Sequence, residues 1–377
     1  MPKIVHLTTV HTASDVRIFH KQAKTLVRVG YDVTLIAQHN KDEVVDGVKI
    51  VALPKPRNRF VRIFKLTWQA FKLALRQRAH IYPFHDPEFL PISLLLKIFT
   101  QGKIIYDVHE DVSKDILTKE WIPPFARKPL ARLARFVEKQ IAYRLDAIVL
   151  AGETIALSPR KSKLTVVHNY PSLSALAKTD LSREEQSDFI LLYMGGITRL
   201  RGAVEMVRAL EHISSDLKIR LELIGKFEPP HLEAELQALR GYKRVRFLGW
   251  LPWESALKCS QRAHIGLVLL HPTPAHINSL PIKMFEYMAV GLPIIASNFP
   301  LWKEIVEGNK CGLTVDPLNP KEIAQAIEYL LEHPELRQEM GENGRRAVIE
   351  KYNWEQEAEK LLALYQRLLE RAQDSEH

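Results

Sequence analysis

Cysteine is nearly missing from this chain of 377 residues. Cys259 and Cys311 have neither zinc nor redox spacing, and two thiols make no disulfide framework, so a reducing, cytoplasmic setting is expected. Long apolar runs are missing too. The richest stretch, 89–99, is short and contains Lys97, so no membrane-spanning helix is expected. The N-terminus offers no charged region ahead of an apolar core, and residues 4–9 read directly as a first strand. No D-x-D pair occurs, and the His109-Glu110 step is not H-E-x-x-H, so no metal is expected. Neither a G-x-G-x-x-G fingerprint nor a P-loop is found, which argues against a nicotinamide dehydrogenase. Tandem repeats and low-complexity tracts are also missing.

What remains is a globular composition, 46% hydrophobic and 26% charged, too long for one ordinary core. Short β-branched or apolar runs alternate with helical patterns throughout. This predicts an α/β protein of two Rossmann-like, doubly wound domains facing a cleft. The first is expected over 1–170, a small-residue linker over 171–188, and the second over 189–353. A last amphipathic helix at 354–377 is expected to cross back to the first domain.

The net charge of +9 is uneven. Residues 1–170 hold 28 Lys/Arg against 15 Asp/Glu, whereas 171–377 hold 25 against 29. From Lys55 to His80 there are eight Lys or Arg residues and no acid, interleaved with Phe60, Ile63, Phe64, Trp68, Phe71 and Leu75. Such a segment suits peripheral contact with an anionic membrane, although a helix packed by its apolar face has the same pattern. No basic recognition module suggests nucleic acid.

Three segments carry chemistry. In 278–291, Ser279 is a candidate cap, Pro281 suits a first helical turn, and Gly291 ends the element. The free amides of Ile282 and Lys283 then form an anion site, with the Glu286 carboxylate one turn deeper for a ribose diol. In 194–202 a strand ends in Gly195-Gly196 and leads to Arg199 and Arg201. Glycines let a ligand approach the backbone and the arginines carry permanent charge, though a Gly-rich turn with solvated arginines remains open. In 106–111 a strand ends in Asp107, His109, Glu110 and Asp111. There His109 could act on a hydroxyl or through its carbonyl, and Glu110 or Asp111 could cap a helix. Asp15, Arg17 and Asp86 lie at neighbouring strand ends, Asp86 being equally a helix cap. Gly225 and Lys226, with Trp250 and Leu251, could floor a nucleotide, Trp250 being equally plausible in a core.

Together these residues resemble the retaining glycosyltransferases of family 4, which have the GT-B fold. Arg201-Gly202 matches the family's basic residue and glycine. Glu286 matches the second Glu of its Glu-x7-Glu motif, the one that binds the donor ribose. Gly196 takes the place of the family's turn arginine, with Arg199 as substitute, and Asn278 stands where the first Glu belongs. The segments 106–111, 168–171 and 280–283 look like a subgroup that builds bacterial surface polysaccharides. The resemblance implies metal-independent, retaining transfer from a nucleoside-diphosphate sugar, with UDP-glucose the first guess, to a glycan or lipid-linked glycan; contact through Lys55–His80 would place this at the inner face of the cytoplasmic membrane. It implies catalytic roles for His109, Arg199 and Arg201. The donor side would comprise Gly196, Gly225, Lys226, Trp250, Leu251, Asn278, Ser279, Leu280, Ile282, Lys283 and Glu286. Asp15, Arg17, Asp86 and Glu110 would lie on the acceptor side. A nucleotide-sugar epimerase or hydrolase, or a non-catalytic sugar-binding protein, are the alternatives.

Overall fold

The computed structural model describes residues 1–119, 122–153, 161–176 and 188–373. Most of the expected linker (177–187) and the last four positions lie outside the described residues. The chain divides into two compact units, Met1–Asn169 with Trp354–His377, and Tyr170–Asn353.

The first unit is an eight-stranded sheet in the order β3-β4-β2-β1-β5-β6-β7-β8. Its strands are β1 (Lys3–Thr12), β2 (Asp32–Gln38), β3 (Glu43–Val45), β4 (Val48–Leu53), β5 (Ile81–Phe84), β6 (Lys103–Val108), β7 (Ala147–Leu150) and β8 (Leu164–Val166). All pairings are parallel except β3 with β4, a short antiparallel edge that the alternation of helix and strand patterns did not disclose. The helices are α1 (Lys24–Arg28), α2 (Thr67–Gln77), α3 (Leu90–Phe99), α4 (Val112–Thr118) and α5 (Pro124–Ala142). The segments Val16–Ala23 and Val61–Leu66 lead into α1 and α2 as wider, π-wound turns. Leu66, Ala70, Phe71, Leu90, Leu96, Ile141 and Ala142 cover one sheet face over Val5, Leu7 and Ile104. Ile18, Phe19 and Leu26 cover the other.

In the second unit six parallel strands run β11-β10-β9-β12-β13-β14. They are β9 (Phe189–Met194), β10 (Ile219–Ile224), β11 (Val245–Gly249), β12 (Ile265–Val268), β13 (Ile294–Ser297) and β14 (Gly312–Val315). Its helices are α6 (Leu173–Leu176), α7 (Ala203–Ala209), α8 (Leu232–Gln237), α9 (Trp253–Arg262), α10 (Ile282–Ala289), α11 (Pro300–Val306), α12 (Pro320–Glu332) and α13 (Pro334–Glu350). The last helix, α14 (Trp354–Gln373), returns to the first unit, where Trp354, Leu361, Leu364, Tyr365 and Leu368 join the core that holds Ile18 and Phe19. Each sheet reverses its winding beside its first strand, β1 against β5 and β9 against β12. A doubly wound sheet opens a ligand crevice at such a point, beyond the carboxyl ends of the strands.

Candidate active site

In the second unit the crevice is built on β9, whose end turns through Gly195 and Gly196 toward Arg199–Arg201 and α7. Gly195 has φ +122° and Gly202 φ +76°, backbone that side chains rarely adopt. Thr198 accepts a bond from the Arg201 amide and so fixes this tight turn. A Cβ on Gly196 would stand 2.8 Å from Arg201 Nη1, and one on Gly195 would stand 3.0 Å from Lys283 Nζ. The Arg201 guanidinium and the Lys283 ammonium therefore lie over one glycine turn.

Helix α10 delivers Lys283. Met284, Phe285, Tyr287 and Met288 pack into the core, and Gly291 at φ +71° closes the helix with a Leu292 N–H bond back to Tyr287. The Met194 amide donates to Tyr287 Oη at 2.9 Å, pinning the end of β9 to α10. Lys283 Nζ is buried without a hydrogen-bond partner, 3.8 Å from the centre of the Tyr193 ring. Burial, and then the Arg201 charge, hold its pKa well below that of an ordinary lysine, against a raising pull from Glu286. Glu286 is buried and accepts from Trp253 Nε1 at 2.8 Å.

Two expectations need correction. Ser279 does not cap α10: the cap is Pro281, and Ser279 Oγ donates to the His276 carbonyl because residues 273–279 form turns of their own. Arg199 does not join Arg201; it extends into solvent and pairs with Glu235, since alternate residues of so tight a turn point to different sides. The other residues expected on the donor side lie just after β10 and β11 and on the approach to α10. Gly225 donates its amide to the Gly249 carbonyl at 2.8 Å. Trp250 is exposed rather than part of a core, with Lys226 Nζ 5.9 Å from its ring centre. Leu251 and Leu280 are half-buried against the α10 core, and Asn278 is exposed. Sequence reasoning missed Tyr193, Trp253 and Tyr287, whose aromatic character alone does not separate them from core. It also missed His271, which follows β12 and lies 3.0 Å from Glu205.

In the first unit the strand ends assemble a buried polar cluster around Asp107. Arg17 grips this carboxylate through Nη2 at 2.7 Å and Nε at 3.2 Å, and Gln22 Nε2 donates at 2.6 Å. Burial raises the Asp107 pKa, but the Arg17 charge and the histidine contacts outweigh it and hold it well below the usual carboxylate range. With Asp107 ionised, His85 donates from Nδ1 at 3.0 Å, leaving its Nε2 to accept from His6 Nδ1 at 3.0 Å. Burial lowers both imidazole pKa values. His109 completes the group, its Nε2 3.2 Å from His85 Nδ1 and its edge partly exposed.

Arg17 and Asp86, expected on the acceptor side, are instead internal supports, since neither charge survives burial without partners. Arg17 also donates to the Val167 carbonyl, and Asp86 accepts from Thr8, Thr9 and Val10. Asp15 caps the following helix and lies 3.1 Å from His11 Nδ1. Asp111, and not Glu110, caps α4, leaving Glu110 exposed. Among the described residues His85, Asp107 and His109 bring three potential metal-ligand atoms within 4.8 Å of one another. The guanidinium already on Asp107 opposes a second cation there.

Comparison with known proteins adds the lineage. Glycosyltransferase Family 4 matches residues 16–169, and Glycosyl transferases group 1 matches residues 178–347. The MMP alpha-(1->4)-mannosyltransferase of Mycolicibacterium hassiacum is 24% identical over 301 residues, 76% of this chain and 71% of that protein. Sucrose-phosphate synthase from Thermosynechococcus elongatus has a TM-score of 0.77 at 20% identity, over 98% of this chain and 100% of its own. Anabaena Alr3699/HepE, solved in complex with UDP-glucose, has a TM-score of 0.72 at 13% identity, over 97% and 99%. At such identities the structural likeness speaks for the fold, while the family matches speak for descent. The chain belongs to glycosyltransferase family 4 and has the GT-B fold.

Proposed function

We propose that this glycosyltransferase moves a sugar from a nucleoside diphosphate to a glycan or lipid-linked glycan in bacterial surface-polysaccharide synthesis, with the anomeric configuration retained. The observation that carries this reading is the buried, unpartnered Lys283 ammonium beside Arg201 over the Gly195-Gly196 turn. A buried amine beside the half-buried Arg201 guanidinium is short of both solvation and counter-charge, which an entering diphosphate supplies. The same groups then act in the transition state. As the glycosidic bond breaks, negative charge grows on the leaving diphosphate and meets Arg201, Lys283 and the first amides of α10. Each such donor is worth roughly 2–4 kcal/mol. No metal is then required.

Glu286, oriented by Trp253, holds the ribose diol, while Gly225, Lys226, Trp250 and Leu251 floor the base. Asn278 serves the sugar hydroxyls. The family resemblance gives His109 its role through the main-chain carbonyl and lets the leaving phosphate take the acceptor proton. Lipid-linked acceptors are reached by contact of residues 55–80 with the inner face of the cytoplasmic membrane.

Thermal-shift measurement across a panel of nucleotide sugars, UDP-glucose first, is the direct test, because a ligand that binds only the native state raises the melting temperature. No shift with any member would overturn the donor assignment. Product analysis with and without added acceptor separates transfer from hydrolysis or epimerisation.

A further inference from the structure

Helix α5 has two different exteriors. Ala131, Glu138, Ile141 and Ala142 face inward, while Phe125, Leu130, Leu133 and Phe136 are exposed, Phe125 to 84%. Lys128, Arg132, Arg135 and Lys139 recur at spacings of four, three and four, so they share one strip beside the apolar ridge. The one acid of the helix, Glu138, is buried and accepts from Tyr106 Oη at 2.9 Å; it feels the charge of Arg135, while among the described residues Lys128, Arg132 and Lys139 pair with no carboxylate. A second ridge of the same kind leads into α2. Phe60, Phe64 and Trp68 recur every four residues and are exposed, with Lys72 one turn on, 5.9 Å from the centre of the Trp68 ring. Arg62 is paired with Glu88, but among the described residues Lys65, Lys72 and Arg76 pair with no carboxylate. Helix α3 packs against both α2 and α5, and its end exposes Ile98 and Phe99. All three helices cover the same face of the sheet.

We infer that α2, α3 and α5, with the turn before α2, form one docking surface for a bilayer rich in anionic lipid. Solubility requires neither the outward aromatic rows nor so many unanswered cations. A nucleic-acid duplex would use the cations alone, and an acidic protein has no regular use for two aromatic ridges. A bilayer uses both: rings enter the boundary between headgroups and acyl chains, and ammonium and guanidinium groups meet anionic headgroups. This deepens the membrane contact proposed for residues 55–80 by adding α3 and α5, and it does not depend on the donor assignment.

The test is co-sedimentation of the whole protein with phosphatidylcholine vesicles, with and without about 30% phosphatidylglycerol. Wild type is expected to pellet with the anionic vesicles only, less so as salt rises. Phe125→Ser with Leu133→Ser and Phe136→Ser, and separately Lys128→Gln with Arg132→Gln and Lys139→Gln, should each weaken vesicle affinity by about tenfold or more. Circular dichroism and UDP-induced thermal shift should stay unchanged, because these side chains are exposed and lie outside the unit that carries the glycine turn. Undiminished affinity in both α5 variants, no pelleting by wild type, or full competition by polyuridylate would each overturn the proposal. Vesicle binding by a protein that fails to bind any nucleotide would support the surface and count against the donor reading alone.

Discussion

The Lys283 ammonium stands 3.8 Å from the centre of the Tyr193 ring, buried and without a hydrogen-bond partner. A ring face is a weak substitute for water around a full charge, so burial and the Arg201 charge disfavour the protonated lysine and an arriving anion favours it.

That gives the first prediction. The lysine pKa is lowered in the folded state, so the unfolded chain binds the extra proton between the lowered value and the usual one near 10.5. Stability should therefore rise with pH through that window, and Lys283→Met should remove the rise. Within that window, binding of UDP should draw in a proton, seen by calorimetry in buffers of different ionisation enthalpy. The methionine variant should lose that uptake and bind UDP about tenfold to a hundredfold more weakly.

Arg201 and Arg199 should part company. Arg201→Ala is expected to lower kcat/KM by roughly two to three orders of magnitude, the loss of one donor to the developing charge. Arg199→Ala breaks only a solvent-exposed pair with Glu235 and should change kcat/KM less than about threefold. Equal losses in steady-state kinetics would put Arg199 back beside the diphosphate.

Asp107 governs the acid limit of the first unit. Its pKa lies below the usual value near 3.8, so its stabilisation is present above that value and is lost as pH falls through the folded one. Asp107→Asn leaves Arg17 buried without its counter-charge and should cost about 3–5 kcal/mol in urea unfolding at neutral pH.

Glu138 should act with the opposite sign. Burial raises its pKa to about 7, against the hydrogen bond from Tyr106. The folded state thus holds a proton that the unfolded state has released, and stability falls as pH rises from the ordinary value of 4.5 to about 7. The penalty above that range is roughly 3 kcal/mol. Glu138→Gln should remove the slope in thermal unfolding between those pH values.

Much of the donor turn was legible because its signals are local. A strand that ends in Gly195-Gly196 and a helix that opens at Pro281 are written in adjacent residues, and their meeting follows from doubly wound winding. Ser279 misled because a capping residue type two positions before the true cap looks the same in sequence. Arg199 misled because its direction depends on how tightly the turn winds. Arg17 and Asp86 read as ligand-facing because charges at strand ends usually are, yet Asp107 draws Arg17 inside, and the Thr8 hydroxyl with the Thr9 and Val10 amides draws Asp86.

The sequence by itself determined two α/β domains, a basic first half and a glycine turn with cations nearby, since periodicity, charge and turn chemistry are properties of neighbouring residues. Only the tertiary structure decided that Lys283 is the partner of Arg201, that Asp107 gathers Arg17, Gln22 and two histidines, and that α5 turns an aromatic ridge to solvent. Those facts depend on which distant side chains share a buried space, and desolvation there sets which charges must be answered.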